Sequence, residues 1–170
     1  MMKKKTFVLL TLLCWLSLSL SAQSLGVYIS DPNGPYTNIR NAPKGKVVCK
    51  IPTNVTAMIG IETPTKGWWK IIGTTYDTGD EEGHLSGSTT GYWIHYSVLG
   101  IGTRNYGAET LYLRQSPSAT APVVFEFNDE RTLRPMEIQG EWVKVQTADG
   151  KFTGWIEDEW LCGNALTNCC

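Results

Sequence analysis

The chain has 170 residues, 15 Lys and Arg against 16 Asp and Glu, 42% hydrophobic residues and five cysteines. That length suits one or two small domains, and the charge balance offers nucleic acid no general electrostatic partner. Beyond the N-terminal segment, no apolar stretch is long enough to span a membrane as a helix.

Residues 1–22 have the build of a secretory signal peptide. "MMKKK" is a basic start, "TFVLLTLLCWLSLSL" an apolar run and "SLSA" a small-residue end, so cleavage is expected after Ala22. The run is short for a membrane anchor, and Cys14 lacks the small preceding residue of a lipoprotein site. Losing Lys3, Lys4 and Lys5 leaves 12 basic against 16 acidic residues, a net charge of −4. The expected location is periplasmic or secreted, with no stable membrane insertion after cleavage, and disulfides persist in such compartments.

The rest of the chain is written twice. "TNIRNAPKGKVVCKI" (37–51) matches "LYLRQSPSATAPVVFEF" (111–127), "GWWKI" (67–71) matches "EWVKV" (141–145), and "YWIHYSVLG" (92–100) matches "GWIEDEWLC" (154–162). Two domains are therefore expected, at 23–100 and 101–170. Short runs of Val, Ile, Thr and aromatics separated by Gly, Pro, Asn and Asp read as all β. Asp149-Gly150 between alternating runs marks a hairpin, and no segment carries a helical period with caps.

Side chains alternate faces along a strand. Trp69 aligns with Val143 and shares a face with Ile71, so it is expected in the core. Trp68 aligns with Trp142 and points the other way, with Lys70. Cys49 aligns with Phe125 and reads as a core thiol. Arg40 and Arg114 are equivalent and read as turn braces.

The first copy has 21 residues between Ile71 and Trp93, where the second has 9 between Val145 and Trp155. The extra stretch, 76–91, is polar and acidic, and reads as an exposed loop. Asp77, Asp80, Glu81, Glu82 and His84 make it a candidate partner contact. Their spacing fits no calcium loop, and no metal or cofactor is expected. In the tail, Cys162 is expected to bond Cys169 or Cys170. Catalytic signatures such as Gly-x-Ser-x-Gly or His-Glu-x-x-His are missing from the sequence, so no enzymatic activity is expected.

The motifs "NIRNAP" and "YLRQSP", "GWWKI" and "EWVKV", "YWIHYSVL" and "GWIEDEWL" together resemble the bacterial Src-homology-3 (SH3) family. The resemblance implies an all-β chain of two tandem small SH3-like β-barrels, about five strands each. It also implies an exported, non-catalytic binding module for peptidoglycan, a cell-wall peptide or an envelope protein. The candidate groove residues are Trp142 and Trp160 in the second copy, and Trp68 and Tyr96 in the first. Acidic Glu141, Glu157, Asp158 and Glu159 would favour a cationic ligand. Two alternatives stay open: the rings only pack against the partner domain, or the protein is an inhibitor or immunity-type protein that blocks an exported cell-wall hydrolase.

Overall fold

Alternation sets the local structure, and a computed structural model describes residues 23–77 and 89–167. In the second half, "WVKVQT" buries Val143, Val145 and Thr147 and leaves Trp142, Lys144 and Gln146 half-buried on the other face. In the first half, Trp69 and Ile71 are fully buried while Trp68 and Lys70 are not. The strands are β1 (Ser24–Ile29), β2 (Tyr36–Arg40), β3 (Val47–Pro52), β4 (Thr56–Thr65), β5 (Trp68–Asp77), β6 (Trp93–His95) and β7 (Leu99–Thr103). They continue as β8 (Leu111–Arg114), β9 (Val123–Phe127), β10 (Thr132–Gln139), β11 (Trp142–Thr147), β12 (Thr153–Glu157) and β13 (Leu161–Cys162). Two 3₁₀ turns, Tyr96–Val98 and Asp158–Trp160, lead into β7 and β13.

The β11–β12 connection forms as its Asp-Gly pair suggests. Gly150 takes φ 75°, a left-handed value open to glycine without strain. Asp149 accepts hydrogen bonds from the Thr147 hydroxyl (2.6 Å) and the Lys151 amide (3.1 Å). These bonds hold its carboxyl down at a pKa of about 2.

The architecture corrects the expectation of two tandem β-barrels. Among the described residues the strands form one antiparallel sheet of 13, in the order β3-β2-β6-β5-β4-β1-β7-β10-β11-β12-β8-β9, with β13 paired to β7. The sheet is unclosed, with β3 and β9 at its ends. The physical reason lies in β7, which hydrogen-bonds on both edges. It pairs with β1 through Tyr28↔Gly100 and Ile29↔Leu99, and with β10 through Thr132↔Gly102 and Leu133↔Ile101. The chain runs through residue 100, the expected boundary between the two copies, as a shared strand. Gly100 permits the close approach: a Cβ there would fall 2.5 Å from the Tyr28 ring and 2.9 Å from the Thr132 methyl.

The core is correspondingly one cluster, running from Ile39, Ile59 and Trp69 through Leu99 and Ile101 to Leu133, Val143 and Ile156. Polar bonds cross between the halves as well. The Trp69 indole N–H donates to the Pro135 carbonyl at 2.9 Å in a buried setting. Arg134 donates to the carbonyls of Ser30, Ser97 and Leu99. The Tyr28 and Thr132 hydroxyls lie 2.8 Å apart, and Gln23 exchanges two bonds with the backbone of Gly140 at 2.8 and 2.9 Å.

Trp69 therefore anchors both halves. Trp69→Ala should destabilise the protein by ~3–5 kcal/mol, as for other large buried aromatics. Trp69→Phe keeps most of the apolar contact but strands the Pro135 carbonyl, so its loss should be smaller, ~1–3 kcal/mol. Trp68→Ala should fall near zero. Urea melts followed by probes in each half should shift together in Trp69→Ala. Retention of the second half's transition at its wild-type midpoint would contradict a shared core.

Candidate functional site

The outer face of the second half carries a cleft of about 260 Å³. Its walls are Trp142 and Trp160, its floor includes Leu111 and Ile156, and Arg114 and Glu157 supply the charged groups. The ladder places these side chains. Trp142 opens β11 directly opposite Glu157 at the end of β12. Glu157 leads into the 3₁₀ turn that ends on Trp160. Two backbone bonds pin that turn: the Asp158 amide donates to the Glu141 carbonyl at 2.8 Å, and the Arg104 amide to the Trp160 carbonyl at 3.0 Å. Both indoles are half-buried. Glu141, Asp158 and Glu159 are exposed around this end of the sheet.

The first half has a cleft of about 320 Å³ at the corresponding ladder position, lined by residues that include Arg40, Lys44, Trp68, His95 and Val98. Trp68 pairs with His95 as Trp142 pairs with Glu157. The rings of Trp68 and His95 meet edge-on at 5.0 Å. The two arginines do brace turns: Arg40 donates to the Gly45 carbonyl at 2.7 Å and Arg114 to the Ala121 carbonyl at 3.0 Å. Each also reaches its cleft.

Of the four groove candidates, the structure brings Trp142 and Trp160 together and places Trp68 in the other cleft. Tyr96 points away from that cleft. Its ring packs on His95 at 4.7 Å and its hydroxyl reaches Gln146 of the second half at 3.4 Å. His95 and Lys44 take the places beside Trp68 that the sequence reading did not assign. The repeat held the signal for His95, since it aligns with Glu157.

His95 Nδ1 accepts from the Ser97 amide at 3.3 Å, so the neutral ring carries its proton on Nε2. Burial holds its pKa below the ordinary 6.5.

The other candidates are placed as follows. Asp77 is the last residue of β5, whereas Asp80, Glu81, Glu82 and His84 lie outside the described residues, as does the segment 1–22. The far end of the insertion is tied down: Thr89 is buried, its hydroxyl lies 2.6 Å from that of Thr74, and the Gly91 amide donates to the Ile71 carbonyl at 2.7 Å. Cys49 is half-buried and free, so it is not the enclosed core thiol expected of it. Cys162 is disulfide-bonded, and its candidate partners Cys169 and Cys170 lie outside the described residues. Among the described residues no group of three or more His, Cys, Asp and Glu could hold a metal ion. No helix among them is long and apolar enough to cross a membrane.

The family model for the bacterial SH3 domain matches residues 109–161, about a third of the chain. Every residue lining the Trp142–Trp160 cleft falls inside that span. A comparison with curated proteins finds none that matches. Among solved structures the chain is similar to NlpC1 from Trichomonas vaginalis, at 12% identity and TM-score 0.32 over 84% of this chain and 47% of that one. It is also similar to NlpC2 from Trichomonas vaginalis, at 12% identity and TM-score 0.31 over 82% and 48%. The chain thus spans about half the length of the solved structures it matches.

These findings correct three expectations. The reading as tandem SH3 barrels over nearly the whole chain gives way to one continuous sheet with a family match confined to 109–161. The role of a non-catalytic module with grooves on tandem SH3 barrels falls with that architecture, as does the inhibitor or immunity-type alternative built on the same two domains. The expectation of no enzymatic activity falls with it. At these TM-scores the likeness assigns this chain no activity of its own.

The environment of His95 makes a prediction for pH. Its imidazole should titrate below 6.5, as read from its ring proton shifts by NMR. The unfolded chain takes up this proton first as pH falls. Stability from His95 should therefore be fully present above 6.5, decline as pH drops through the folded pKa, and then level off. An imidazole titrating above 6.5 would contradict the placement of the ring.

Proposed function

We propose that the chain is exported and recognises a cell-wall peptide in the Trp142–Trp160 cleft. The observation that carries this reading is the pair of half-buried indoles facing one cleft, with the Glu157 carboxylate opposite Trp142 on the ladder. Flat aromatic walls hold an extended peptide by apolar contact. A carboxylate beside an indole face favours an ammonium group, which gains from both the charge and the ring quadrupole. Exposed Glu141, Asp158 and Glu159 add to the negative field. Wall peptides that carry a free side-chain amine on a diamino acid supply that chemistry. The leader-like residues 1–22 support a destination where such peptides are found.

The test is a titration of a short peptide carrying a free side-chain amine, against the same peptide with that amine acetylated. Tryptophan fluorescence reports binding, and circular dichroism reports folding of each variant. Trp142→Ala and Trp160→Ala should each weaken binding about 5- to 30-fold, the range for losing one aromatic contact to a cation. Glu157→Gln should reduce the preference for the free amine. Equal binding of both peptides by the wild type and by a folded Trp142→Ala/Trp160→Ala double variant would overturn the reading. Incubation with purified sacculi, followed by analysis of released soluble fragments, reads bond cleavage in the same samples.

A further inference from the structure

We propose that the cleft of the first half is a second binding site, of opposite charge preference, which takes the carboxylate end of a short peptide. The two clefts share a plan, and the residue across the ladder from each tryptophan differs. Opposite Trp142 stands Glu157; opposite Trp68 stands His95. In the second half the 3₁₀ turn closes the cleft with Trp160, whereas in the first half Val98 stands there. The first cleft is therefore shallower in aromatic surface and richer in donors.

Those donors converge. Arg40 lies with its guanidinium carbon 5.9 Å from the Trp68 ring centroid. One of its nitrogens is engaged with the Gly45 carbonyl, and its remaining N–H groups serve a ligand. The same bond pins the β2–β3 turn, in which Lys44 takes φ 60°, a left-handed value unusual for a residue with a side chain. The turn thereby holds Lys44 at the rim of the cleft. Among the described residues Lys44 forms no ion pair. His95 has its Nδ1 engaged by Ser97 and lines the cleft edge-on to Trp68.

One acid lines the cleft, Asp31, and both its oxygens are engaged. Oδ1 accepts from the Asn33 amide at 3.0 Å and Oδ2 from the Thr37 hydroxyl at 2.9 Å. Asp31 thus serves the turn before β2, and the positive groups keep the balance of charge. A planar carboxylate fits a guanidinium edge and an ammonium in this arrangement, while Trp68 and Val98 offer apolar surface to a small side chain next to it.

The probes are an N-acetylated dipeptide with a free C-terminal carboxylate and the same dipeptide as its carboxamide. Both are titrated into the full mature chain and followed by NMR at the Trp68 indole, the His95 ring and the Lys44 amide. The carboxylate form should shift these three signals and leave those of Trp142 and Trp160 in place, and the carboxamide should bind about tenfold more weakly. Lys44→Gln, an exposed change outside the core, should weaken carboxylate binding about three- to tenfold, with the remaining affinity less sensitive to salt. Glu157→Gln should leave it unchanged, which separates this site from the cleft of the second half. Equal shifts from carboxylate and carboxamide, shifts confined to Trp142 and Trp160, or an unaltered affinity in Lys44→Gln would each overturn the proposal.

Discussion

A single buried hydrogen bond shows how this molecule is held together. The Trp69 indole is fully enclosed, and its N–H would be left without water or partner if the Pro135 carbonyl moved away. An unpaired buried donor is destabilising by ~1–3 kcal/mol, so the first half cannot shed the second without exposing this group. Pro135 itself sits where the β10–β11 register shifts. The proline has no amide hydrogen to offer the ladder, and its carbonyl serves the indole. Arg134, the residue before it, grips three carbonyls of the first half from the same strand. Adjacent residues of β10 thus lock the two repeats by unrelated means.

That lock orients the outer faces. With the inward rows of β5 and β11 committed to one core, Trp68 and Trp142 are left on the outward rows. Each sits opposite the end of a strand that turns at once into a 3₁₀ segment. Duplication produced two clefts of similar plan. The ladder partners differ, with His95 opposite Trp68 and Glu157 opposite Trp142. A change of one residue in such a position alters electrostatics without disturbing the core, because side chains on the outer row contribute little to the packed interior.

Joining the repeats also leaves the sheet with two free ends, β3 and β9. Both carry exposed valine pairs, Val47 and Val48 in one and Val123 and Val124 in the other. Charged neighbours temper each edge: Lys46 and Lys50 flank or enter β3, and Glu126 lies within β9. Such charges discourage pairing of free edges with other chains.

The sequence by itself determined the all-β character, the strand faces and the Asp149-Gly150 turn, because these depend on alternation and local backbone preference. It assigned Trp69, Val143 and Val145 to the interior by the same rule, and the repeat alone placed Trp68 and Trp142 at equivalent outward positions. Alternation says which face a side chain takes, but nothing about which strand lies next to it. Hence the double pairing of β7, which turned two expected barrels into one sheet, was not legible. The same holds for Tyr96, whose direction depends on Gln146, 50 residues away. His95 aligned with Glu157 in the repeat, yet its role beside Trp68 came only from strand register and from the turn that fixes its ring. Local chemistry writes the strands into the chain, and only tertiary structure decides their neighbours, because pairing is settled by the joint burial of residues distant in sequence.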